Sequence, residues 1–182
     1  DPLVYLAGGP GENAIDTLRF TFDDLFRPFL KARDVVVFDQ RGAGYSEPGA
    51  ECEELAALEI DLLDRSLSID EESALGVAAA QACYDRLMSA GVALDALSTA
   101  ESAADVHSIM TALGYDEWDS LGISYGTRLA QTIMRDRPEG VRSVIRDSVV
   151  PLEADIIAQT PGSFARRAPV AVRRVRGERD VW

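Results

Sequence analysis

Gly122-Ile123-Ser124-Tyr125-Gly126 constrains this 182-residue chain more than any other stretch. Trp118 to Ile123 is a short apolar run that reads as a buried strand. Gly126 to Arg137 reads as a helix closed by Pro138. A serine between two such elements, with glycine two residues away on either side, has the G-x-S-x-G pattern of a sharp strand-to-helix turn. The flanking glycines leave room for neighbouring backbone. The helix aims its N-terminus at the serine, where it favours developing negative charge. Ser124 is therefore the candidate nucleophile.

Around this turn the chain alternates strands and helices. Leu3 to Ala7 and Asp34 to Phe38 are apolar runs that read as buried strands, and Val141 to Val150 reads as a fourth strand after the Trp118 run. Between them lie a helix over Thr17 to Ala32 with a break at Pro28, two helices between Glu51 and Gly91 broken near Ser66 to Asp70, and a helix from Thr99 to Leu113. In the last of these, Ala103, Val106, Met110 and Leu113 follow helical spacing. The pattern predicts an α/β fold, a mostly parallel sheet with helices on both faces.

Two further motifs follow strands. Gly8-Gly9-Pro10-Gly11 comes after the first and presents bare backbone. In that place a Gly9 N–H can meet an oxyanion, with the Tyr125 N–H as its partner. Asp39-Gln40-Arg41-Gly42-Ala43-Gly44-Tyr45-Ser46 comes after the second. Its glycines permit a tight turn, and Asp39 and Arg41 are expected to pair and brace it.

These three blocks, in this order, resemble the α/β-hydrolase family, and within it the prolyl aminopeptidase and tripeptidyl aminopeptidase branch. That branch carries GGPG, DQRGxGxS and GxSYG at the corresponding places. The resemblance covers roughly residues 1 to 164 and implies a serine hydrolase working by acyl transfer, a peptidase that releases residues from peptide N-termini. A carboxylesterase or lipase of the same fold shares this front half, and an inactive fragment is the third reading. The resemblance also implies a triad in the order Ser, then Asp or Glu, then His. Here the only histidine, His107, precedes Ser124 and lies within a helix, where it is expected to be a packing residue. Asp147 and Asp155 follow the serine too closely to be the triad acid, which lies after a cap region in the family. The triad Asp and His are thus expected to be absent from this chain, which is read as truncated before the cap and the C-terminal half. Ala7 stands where many relatives carry a histidine that is not part of the triad.

The remaining features bound the partners. A net charge of −13 argues against nucleic acid and is compatible with a cationic substrate, although solubility accounts for it as well. No apolar run is long enough to span a membrane. Phosphate and dinucleotide loops and metal-ligand clusters are not found, so no cofactor and no metal is expected, and the substrate is a peptide or a small ester or amide. Cys52 and Cys83 are the only cysteines. From the residues alone they are one disulfide or two separate thiols. The helical segment containing them resembles that of the secreted tripeptidyl aminopeptidases, which implies an exported protein, with a cytoplasmic one as the alternative. The chain opens at Asp1 without Met, which suggests that an upstream segment is missing. Residues 165 to 182 carry a net +4 against −17 for the first 164. This basic tail is expected to lie outside the core.

Overall fold

Leu3–Leu6 is apolar at every position and buried at every position, and it forms β1 at the centre of the sheet. The computed structural model describes residues 1–154. The chain divides into two compact units, Asp1–Val149 and Val150–Trp182. The second is described only over residues 150–154, a turn in which the Ala154 N–H donates to the Pro151 carbonyl at 3.2 Å. Asp155 and residues 165 to 182 lie outside the described residues.

The first unit is an α/β sheet of four strands in the order β2-β1-β3-β4, all parallel. The strands are β1, β2 (Val35–Val36), β3 (Trp118–Ile123) and β4 (Val141–Asp147). Strand alternation gives the sheet two apolar faces. Val4, Leu6 and Trp118 pack with Ala103, Val106, Met110, Leu129, Ala130 and Ile133. These come from α4 (Thr99–Ala112) and α5 (Tyr125–Asp136). Leu3, Tyr5 and Leu121 face the other way, onto Ala14 and Phe26 of the segment between β1 and β2. That segment is α1 (Ala14–Thr21), a wide turn over Phe22–Phe26, and a short helical turn at Phe29–Lys31 beyond Pro28.

Between β2 and β3 the chain makes a helical hairpin of α2 (Glu53–Leu62) and α3 (Ile69–Ser89). Ser68 caps α3, donating its own N–H to Glu71 and accepting the Glu71 N–H. Cys52 and Cys83 form a disulfide across the hairpin, with Cα atoms 5.3 Å apart. Beside it Arg86 grips the Glu54 carboxylate through two nitrogens, at 2.7 and 3.0 Å. Cys83, Leu87 and Val92 make a small separate core there.

The elements follow the sequence reading with physical adjustments at their ends. α1 starts earlier than expected because the Asn13 side chain accepts the Asp16 N–H and caps it. Ser98, not Thr99, caps α4. β4 stops at Asp147, where Ser148 turns the chain with φ 57°. Leu113 is 56% exposed and does not join the buried face of α4, since the helix ends before it.

Beneath the sheet, at the N-terminal end of β3, Asp119 is the charged hub. Its carboxylate accepts from Arg142, from Ser143 Oγ at 2.5 Å and from Arg33 Nη1 at 2.5 Å. The Arg142 guanidinium, then Ser143 and Arg33, hold that carboxyl well below the usual carboxylate range, against the opposing pull of burial.

Candidate functional site

Parallel pairing brings the loops after β1 and β3 together. Leu6 stands opposite Gly122 in the ladder, so both strands end at the same level. Ala7 to Gly11 leaves one, and Ser124 leaves the other.

Ser124 has φ 53° and ψ −119°. A β-substituted residue holds such a backbone only where its surroundings fix it. Backbone bonds on both sides do so. The Ser124 N–H donates to the Asp147 carbonyl at 2.9 Å. Its own carbonyl accepts the Thr127 N–H at 2.9 Å and the Thr127 hydroxyl at 2.7 Å, which pins the first turn of α5. The glycines either side make space. A Cβ on Gly126 would run into the Leu6 carbonyl, and one on Gly122 into the Gly126 carbonyl. The expectation that both positions must be small is met by backbone packing on both sides of the turn.

The glycine loop lies against this turn. The point where a Gly8 Cβ would stand is 3.6 Å from Ser124 Cβ and 3.2 Å from a Glu12 carboxylate oxygen. The Gly8 N–H donates to that Glu12 oxygen at 3.0 Å. Gly9 has φ 93° and precedes a cis peptide bond to Pro10. Among the described residues neither the Gly9 N–H nor the Tyr125 N–H donates to a protein acceptor. The Tyr125 N–H follows Ser124 directly, at the first residue of α5. Tyr125 buries its side chain, and its hydroxyl meets Thr99 Oγ1 at 2.8 Å, tying α5 to α4. Below the loop, burial first and the Glu12 charge second push the Tyr5 hydroxyl pKa up.

The loop after β2 braces the glycine loop, but by other pairs than expected. Asp39 and Arg41 do not pair. Asp39 is buried and accepts the Ile15 N–H at 3.1 Å and the Tyr45 N–H at 2.9 Å. Arg41 turns the other way and makes two 2.7 Å bonds to Asp105 on α4, plus one of 2.8 Å to the Ala96 carbonyl. Asp39 lies where backbone N–H groups converge, and these satisfy a carboxylate without a cation. Gln40, between them, donates to the Ala7 carbonyl at 3.1 Å and links the two loops.

His107 is far from this arrangement. It is half-buried on α4 with its ring edge-on to Trp118, centroids 5.9 Å apart. Trp118 begins β3 and Ser124 follows its end, a separation of about 20 Å along an extended strand. Asp147 is exposed, and its carboxylate accepts the Ser148 hydroxyl at 3.1 Å. The structure gives neither residue a contact with the Ser124 side chain. Among the described residues no three or more His, Cys, Asp or Glu side chains gather to hold a metal, and no helix is long and apolar enough to cross a membrane. Glu12, Gln40, Thr127 and Asp105 are site-building residues that sequence reasoning missed. Even Glu12, directly after the glycine run, reads in the sequence as ordinary loop polarity.

Comparison with known proteins gives the family. A family model described as alpha/beta hydrolase fold matches residues 1–181. The chain is 33% identical over 163 residues to the serine protease Hip1 of Mycobacterium tuberculosis, covering 85% of this chain and 30% of that protein. It is 33% identical over 159 residues to the tripeptidyl aminopeptidase of Streptomyces coelicolor, covering 81% of this chain and 28% of that one. Among solved structures it resembles Est816, an N-acyl homoserine lactone degrading enzyme, at 20% identity and a TM-score of 0.45, over 80% of this chain and 37% of that one. The chain therefore spans less than a third of the length of these curated relatives.

Proposed function

Because this chain belongs to the alpha/beta hydrolase fold family, we propose that it is the nucleophile-bearing part of a serine peptidase that releases residues from peptide N-termini. The observation that carries the reading is Ser124 itself, held at φ 53° at the head of α5 by backbone bonds to Asp147 and Thr127. The two 33%-identical relatives, a serine protease and an aminopeptidase, support peptide rather than ester substrates.

In this reading the Ser124 hydroxyl gives its proton to a histidine base as Oγ bonds to the substrate carbonyl carbon. The carbonyl oxygen takes up the negative charge and is held by the Gly9 and Tyr125 N–H groups. Collapse of the intermediate breaks the C–N bond. The amine leaves with the proton from the base, and water then hydrolyses the acyl-serine by the same route. We assign the base and its acid partner to chain other than these 182 residues, because no histidine follows Ser124. The Cys52–Cys83 bond supports export to an oxidising compartment.

The test is to treat the full-length protein with a fluorophosphonate probe and to assay it on aminoacyl anilides and simple esters. The reading expects labelling at Ser124 and cleavage of the anilides. Hydrolysis of esters alone would return the protein to the esterase reading, and labelling at another residue would remove Ser124 as the nucleophile.

A further inference from the structure

The peptide between Ala7 and Gly8 is gripped at both edges. Its carbonyl accepts from Gln40 Nε2 at 3.1 Å, and its N–H donates to the Glu12 carboxylate at 3.0 Å. A trans peptide points these two groups opposite ways within one plane, so the two bonds together fix that plane. The grip sits against the nucleophile. A Cβ at Gly8 would stand 3.5 Å from the Ile123 carbonyl and 3.6 Å from Ser124 Cβ, and one at Gly126 would stand 2.9 Å from the Ala7 carbonyl oxygen. Gln40 is 6% exposed, and its backbone carbonyl accepts the Ala43 N–H at 3.0 Å. Its neighbours are anchored on both sides. Asp39 holds the Ile15 N–H at the start of α1, and Arg41 holds Asp105 on α4.

We propose that Gln40 is a positioning residue for the glycine loop: it holds the Ala7–Gly8 peptide so that the Gly9 N–H stays aimed at the charge that develops when Ser124 attacks. The assignment rests on the acyl-transfer reading above and deepens it by one residue. Gly8 alone separates the gripped peptide from the one that carries the Gly9 N–H, and glycine restrains neither of its own torsions. The gripped plane is therefore the nearest fixed frame on the N-terminal side. Ala7 is 1% exposed, so a carbonyl deprived of Gln40 has little access to water and turns toward another donor, carrying the loop with it. An oxyanion donor works only where it is aimed before the charge appears, and misplacement by about 1 Å costs on the order of 100-fold in rate.

The experiment uses the full-length enzyme and reads two quantities: kcat and KM on an aminoacyl anilide, and the rate at which a fluorophosphonate labels Ser124. Both reactions put negative charge on an oxygen beside Ser124, and the second needs no peptidase activity. Gln40→Met keeps the length of the side chain and removes the donor. Labelling that still runs to completion shows that the variant is folded. Its kcat and labelling rate should each fall about tenfold or more while KM stays within about twofold, since the oxyanion forms only in the transition state. Gln40→Glu is the second variant. Ionised, it cannot donate to the Ala7 carbonyl; protonated, it can. The ratio of its kcat to the parent's should rise as pH falls from about 8 to about 5, because burial lifts the carboxyl pKa toward that range and titration of the base divides out. Tyr45→Phe removes a bond from the same loop to Asp16 that does not reach the glycine loop, and should leave both rates unchanged. Rates within about twofold of the parent in Gln40→Met, or a loss confined to KM, would overturn the proposal. A pH-independent ratio in Gln40→Glu, or an equal loss in Tyr45→Phe, would make Gln40 a brace for the fold and overturn it as well. Slowed labelling in an enzyme that cleaves esters and no anilide would remove the peptidase reading and leave the role of Gln40 standing.

Discussion

The backbone N–H of Ser124 donates to the carbonyl oxygen of Asp147 at 2.9 Å. This bond is the last rung between β3 and β4, and it holds the strained serine from the strand side. The Thr127 bonds hold it from the helix side. A residue fixed from both directions keeps its Cα–Cβ bond in one direction.

Ser124→Ala in the full-length protein should abolish fluorophosphonate labelling. It should leave Tm within a few degrees of the parent, because no backbone partner of Ser124 depends on its Oγ. Gel fluorescence and a thermal melt check both halves of this expectation.

Two glycines should respond oppositely to alanine. At Gly126 a Cβ meets the Leu6 carbonyl, a backbone atom in a buried strand that cannot move aside. Gly126→Ala should cost about 3 kcal/mol and abolish labelling as well. At Gly76, inside α3, nothing lies within 4 Å of an added Cβ. Gly76→Ala should stabilise the chain by about 0.5–1 kcal/mol, read from urea midpoints.

The Asp119 hub predicts a pH dependence. A carboxyl held below its unfolded value favours the fold above that value, near pH 4, and the stabilisation is lost as pH falls below it. Asp119→Asn leaves Arg33 and Arg142 without their shared anion. Arg142 keeps Asp1 and both guanidinium groups stay partly exposed, so the change should cost about 2 kcal/mol at neutral pH and flatten the acid limb of the stability curve. Urea titrations from pH 3 to pH 7 would show it.

Cys83→Ala should destabilise the α2–α3 hairpin by about 3.7 kcal/mol, the loop-closure value for a bridge across 31 residues. Ser124 labelling should persist, because the disulfide touches neither the glycine loop nor the turn at Ser124. Hydrogen exchange over residues 53 to 89 would localise the loss.

The 182-residue chain on its own should turn over aminoacyl anilides no faster than a trace, since removing the base leaves only the oxyanion donors and binding. Robust kcat from the isolated chain would locate a base within it.

The strand-to-helix turn at Ser124 was legible because every part of its signal is local: two glycines, an apolar strand before and an amphipathic helix after. β1 and β3 were legible for the same reason, as short runs buried between the two faces of the core, whereas β2 and β4 are only partly covered. Choice of partner was not. Arg41 found Asp105, sixty-four residues away on α4, while its neighbour Asp39 turned to backbone N–H groups. Nothing in the spacing of the loop distinguishes that outcome from a local pair, since it depends on where α4 packs. Glu12 was hidden differently: a carboxylate after a glycine run reads as ordinary loop polarity until its oxygen is placed beside Gly8 and Ser124.

Strand pairing also decides how this site can fail. Leu6 faces Gly122 across the buried centre of the sheet, and the glycine loop and Ser124 leave from that one rung. The spacing can change only in whole steps of the ladder, each of which would turn core residues out to solvent. Heat or denaturant therefore has no gentle way to detune the chemistry. The geometry around the serine should persist unaltered until the sheet comes apart, and vanish with it.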